Sequence, residues 1–136
     1  MRHSHIHSIL LTLLLLVFPI VTFAHGTARP KPVLDQVVTG MPQSERQNVR
    51  VFTAHFEPGD QTVFHSHRYP VTVYILEGTF TLEVEGKPVV EIKAGDTFIE
   101  PIGVNMTGYN KSKVNPLNLV IFYVSKPDTP FLDPVK

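Results

Sequence analysis

The chain has 136 residues, enough for one ordinary domain and too few for two. Hydrophobic residues make up 43% and charged residues 18%, which fits a packed core and excludes a disordered chain; a formal net charge of +0, with Lys and Arg scattered singly, argues against a nucleic-acid partner. There are no cysteines, which removes disulfides, thiolate metal sites and a cysteine nucleophile together.

Residues 1–24 read as a secretory signal peptide. Arg2 carries the leading positive charge, residues 9–17 form a short apolar run, and Pro19 breaks it before Thr22-Phe23-Ala24, a small-x-small cleavage site. The expected location is the periplasm or the outside of the cell, with no membrane attachment after cleavage. His3, His5 and His7 leave with the signal, so the mature chain keeps His25, His55, His65 and His67. Residues 25–48, with Pro30 and Pro32 and few apolar side chains, read as an extended N-terminal arm.

From residue 49 to residue 125 the pattern is one of short strands. Val49, Val51, Thr53 and His55 alternate with Arg50, Phe52, Ala54 and Phe56 before Pro58-Gly59 ends the run. "FHSHRYPVTVYILEG" follows, with His65 and His67 one residue apart and therefore on one face of an extended chain. Three strands are predicted over residues 71–92, turning at Glu77-Gly78 and at Glu85-Gly86-Lys87-Pro88. A further strand is predicted at 97–100. The longest apolar run, 117–125, predicts a central strand. No stretch sustains a period near 3.6, so the fold class is all-β, a sandwich or barrel. The Pro-rich tail, 126–136, cannot enter a sheet interior; it is expected along the surface or against a partner subunit.

Two spaced motifs make the chain resemble the cupin family of small jelly-roll β-barrels. Gly59, His65, His67 and Gly78 fall in register with the first cupin motif, and Gly95, Pro101, Gly103 and Asn110 with the second. The resemblance implies a metal or small-ligand site inside a single barrel and, since cupins commonly pair, a homodimer. It also exposes two departures. The family's motif glutamate falls at Val71 and its second-motif histidine at Met106.

The expected metal ligands are therefore His65, His67 and Met106. Without a carboxylate the set suits a soft ion, and copper is favoured over iron or manganese. The stronger alternative for Met106 is a flexible core filler, and a third is contact with substrate. His55 is either a third imidazole or a hydrogen-bonded structural residue. Tyr69, Tyr74 and Tyr109 read as wall residues that could present a phenol, Asn110 as a strand-end hydrogen bonder, and Glu100 as a solvated surface charge. An N-terminal His25 could chelate copper through its amine and ring. Three functions follow: an exported protein binding a transition metal or small ligand, a metal-dependent oxygenase or isomerase, and a metal-free small-molecule-binding module.

Overall fold

A computed structural model describes residues 25–136; the signal segment expected at 1–24 lies outside the described residues. Residues 25–47 contain no strand or helix. The strands that follow are β1 (Asn48–Phe56), β2 (His65–Ser66), β3 (Val71–Glu77), β4 (Thr79–Val84), β5 (Val90–Lys93), β6 (Thr97–Glu100), β7 (Met106–Tyr109), β8 (Leu117–Ser125) and β9 (Asp133–Pro134). No helix occurs among the described residues.

The strands form two antiparallel sheets, ordered β1-β8-β3-β6 and β5-β4-β7-β2-β9. The apolar run of β8 lies between β1 and β3, as a strand buried on one face and paired on both edges should. Alternate side chains of both sheets point to a shared core. Val71, Val73, Ile75, Leu119 and Tyr123 come from the first sheet, and Phe80, Leu82, Val84, Ile92 and Met106 from the second. Among the described residues no ladder joins the two sheets into a closed ring, so the packing is that of two layers over one core.

Two local features position the site. Pro70 has no amide hydrogen to give a ladder, and the chain changes sheets around it: β2 ends before it and β3 begins after it. His65 thus belongs to the second sheet, His67 follows it in the connection, and the apolar strand after Pro70 belongs to the first. The tail does not stay outside the sheets. It adds β9 to the edge of β2, pairing His65 with Pro134 and Ser66 with Asp133, and the outer edge is where a strand proline is tolerated.

The β3–β4 turn depends on Gly78. Its φ is +80°, and a Cβ there would lie 2.5 Å from the Pro116 carbonyl oxygen. Gly78→Ala is expected to cost about 2–3 kcal/mol of stability, measurable as a lowered urea midpoint.

Candidate metal centre

His65 and His67 turn their rings toward each other, edge to face at 81°, with centroids 4.6 Å apart. Each ring is fixed from behind by a backbone carbonyl. His65 Nδ1 lies 2.7 Å from the Val63 oxygen, and His67 Nδ1 lies 2.8 Å from the Phe131 oxygen. A carbonyl can only accept, so both Nδ1 atoms carry the hydrogen, and in the neutral rings both Nε2 atoms are bare lone pairs. Those two atoms are 3.0 Å apart, and Glu100 Oε2 is 3.1 Å from His67 Nε2. With both rings neutral and Glu100 ionised, three acceptors converge with no donor between them. Their ligand atoms lie within 4.8 Å of one another.

The surroundings are dry. His65, His67 and Glu100 are 4%, 1% and 5% exposed. Beside them a chamber of about 50 Å³ is walled by Phe56, Val73, Phe80, Ile121, Phe131 and Leu132. Burial lowers the His65 pKa below its ordinary 6.5, and the neighbouring His67 lowers it further, against the Val63 hydrogen bond and the Glu100 charge, which raise it. The ring is thereby kept neutral, the form a metal needs. The same shift has a sign for stability. Below pH 6.5 the unfolded chain takes up a proton that the folded His65 resists, so the metal-free protein should lose stability as pH falls from 6.5 toward the lower folded value. Urea titrations at pH 7.5 and pH 5.5, compared with His65→Gln, measure that contribution.

Glu100 is the residue the sequence reading placed in solvent, and the structure overturns that. Along β6 it shares a face with Phe98, two residues earlier, and Phe98 packs against the core. That parity is the signal in the sequence that could have found it.

The sequence profile of the cupin domain matches residues 52–123, more than half of the chain. The chain belongs to the cupin family. No curated protein sequence matches it at a significant level. Among solved structures, a cupin-like protein from Thermotoga maritima is 24% identical, with 65% of each chain covered and a TM-score of 0.56. A double-stranded β-helix protein from Klebsiella pneumoniae is 21% identical, covering 74% of this chain and 90% of that one, with a TM-score of 0.56. The DMSP lyase DddQ from Ruegeria pomeroyi is 20% identical over 60% of this chain, with a TM-score of 0.53, and this chain spans only 41% of that protein. The chain also spans less than two thirds of the Thermotoga protein. These likenesses establish the fold.

Within this cupin, the position expected for the motif glutamate is Val71, and Val71 is the register partner of Glu100 on the neighbouring strand. Residues directly opposite on antiparallel strands present their side chains to the same face. The acid absent at position 71 is offered from β6 instead. Met106 pairs with His65 across the β2–β7 ladder and with Val84 on its other side; it is fully buried in the core and does not wall the chamber.

The remaining candidates lie elsewhere. His55 is exposed on β1, hydrogen-bonded to Asn118 Oδ1 at 2.7 Å and Glu57 Oε1 at 3.1 Å, so the third imidazole does not join the pair. Tyr69 packs on Tyr123, Tyr74 is half-buried, and Tyr109 lies under the Lys111 ammonium; none of the three walls the chamber. His25 is exposed. Asn110 does what its motif position implies: its amide donates to the Phe56, Glu57 and Asn115 carbonyls and its oxygen accepts from the Ser112 amide.

Proposed function

We propose that this cupin is an exported metalloenzyme whose His65–His67–Glu100 centre holds one divalent transition ion and acts on a small molecule. The observation that carries the reading is the convergence of two buried imidazoles, each held from behind by a backbone carbonyl, and one buried carboxylate. A cation resolves that arrangement, and a carboxylate beside two neutral imidazoles compensates half of a divalent charge.

The donor set also bears on the metal. A preference for copper rests on a site without an acid, and Glu100 removes that premise. Two histidines and one carboxylate leaving open positions are the ligand set of non-haem Fe(II) oxygenases, so iron or manganese suits this site better than a soft ion. A bound ion supplies a Lewis-acid centre with positions open to substrate. The protein's own part is to hold both rings by the Val63 and Phe131 carbonyls and to exclude water with apolar walls. Similarity to a DMSP lyase supports a small-molecule substrate, and the two-layered sheets with cupin relatives support the jelly-roll reading. The sequence pattern of residues 1–24 supports export, and the cupin resemblance supports pairing into a homodimer.

Metal content of the protein recovered from the exported fraction tests this directly. About one equivalent of iron or manganese per chain is expected, retained by Met106→Leu and lost by His67→Ala. No transition metal in any preparation, together with no binding of added Fe(II), Mn(II) or Co(II), would overturn the reading.

A further inference from the structure

We infer that the C-terminal segment, residues 126–136, is a strap that completes the metal centre, and that strap docking and metal occupancy strengthen each other. The inference rests on the metal reading above. Three successive carbonyls of the strap each receive a donor from the body of the fold. Arg50 Nη2 donates to Thr129 O at 2.8 Å, the Tyr123 hydroxyl to Pro130 O at 3.4 Å, and His67 Nδ1 to Phe131 O at 2.8 Å. Farther on, Arg68 grips both carboxylate oxygens of Asp133 at 2.7 Å, and the Val135 amide donates to Phe64 O at 2.9 Å.

The strap's side chains close the chamber. The Phe131 ring packs against His67, Tyr123 and Phe52, with centroids 5.1, 5.4 and 4.8 Å away, and Leu132 adds another wall. With the strap docked the chamber holds about 50 Å³. That is far below the roughly 300–1,000 Å³ of ordinary small-molecule sites, so a substrate reaches the centre with the strap lifted.

The coupling runs through one hydrogen bond. The His67 ring that offers Nε2 to the ion gives its Nδ1–H to the Phe131 carbonyl. Ligation at Nε2 withdraws electron density and makes Nδ1–H a better donor, so metal tightens the strap. In return the carbonyl fixes the tautomer and orientation and raises the basicity of Nε2, so the docked strap tightens metal. A bond that serves both equilibria makes their coupling reciprocal.

The test uses the mature full-length chain, Co(II) as the probe, and amide hydrogen exchange across residues 126–136. Added Co(II) should slow exchange of the Val135 amide roughly tenfold, within the usual range of coupling free energies. Arg68→Ala, which breaks an exposed ion pair outside the centre, should speed that exchange and weaken Co(II) binding roughly two- to fivefold. Arg68→Asp combined with Asp133→Arg should recover both. Truncation after Lys126 should weaken Co(II) binding by about 10–100-fold; should it fail to fold, Arg68→Ala decides alone. Unchanged exchange in protein that holds Co(II), or faster exchange in Arg68→Ala at unchanged affinity, overturns the coupling and leaves the metal reading standing. Absence of Co(II) binding by the unaltered protein overturns both.

Discussion

Glu100→Gln is expected to strip the centre of its metal affinity while making the metal-free protein more stable. The substitution keeps the shape and replaces a carboxylate oxygen with an NH2 group. In the metal-free protein His67 Nε2 faces only other acceptors, at 3.0 and 3.1 Å. A Gln amide supplies a donor to the bare Nε2 of a neutral His67, worth about 1 kcal/mol in the urea midpoint at unchanged slope. The loss of the single anionic ligand should weaken divalent binding by about 100-fold or more. A site arranged for an ion gives opposite signs in the two measurements. If Glu100 were the partner of a structural ion pair with His67, the same substitution would instead destabilise the metal-free fold by about 3–5 kcal/mol, and the functional account would fail.

Asn110→Asp should give the reverse pattern. Asn110 is 1% exposed, and its amide nitrogen sits 3.2, 3.1 and 2.9 Å from three backbone carbonyls that close the end of β1 and the loop before β8. The isosteric acid loses both donors and sets a buried negative charge against three carbonyl oxygens. A loss of about 3–5 kcal/mol is expected, which for a domain of this size lowers Tm by roughly 10–20 °C. Divalent affinity of the folded fraction should stay close to that of the unaltered protein, because Asn110 touches none of the three converging side chains. Two residues of the second sheet-forming motif region, Glu100 and Asn110, are thus separable: one serves chemistry, the other the fold.

The strands were legible because each rests on local information. The 97–100 and 117–125 predictions coincide with β6 and β8, and the turns at Gly78 and Gly86 fall where glycine and proline mark them. The pairing of His65 with His67 was legible too, since two residues apart in extended chain share a face whatever the fold. Glu100 was not, because its role depends on register with Val71, set by a ladder between strands far apart in sequence. The parity of Phe98 and Glu100 indicated an inward face, but a lone acid before a proline reads as surface until the opposite strand is known. The tail's pairing was not legible for a related reason. Its prolines forbid a sheet interior, yet they do not forbid an outer edge, and β2 offers the edge that β9 takes. Met106 occupies the family's histidine position, and spacing alone could not separate a sulfur ligand from core packing.

The central claim is that His65, His67 and Glu100 bind one ion together. Anomalous diffraction at the metal edge, from crystals of the protein loaded with Fe(II) or Co(II), tests it most directly. The account predicts a single strong peak with His65 Nε2, His67 Nε2 and a Glu100 carboxylate oxygen each about 2.0–2.2 Å away, by analogy with zinc. A fully occupied ion bound at His25, His55 or the Met106 sulfur, with Glu100 outside its coordination sphere, would contradict it.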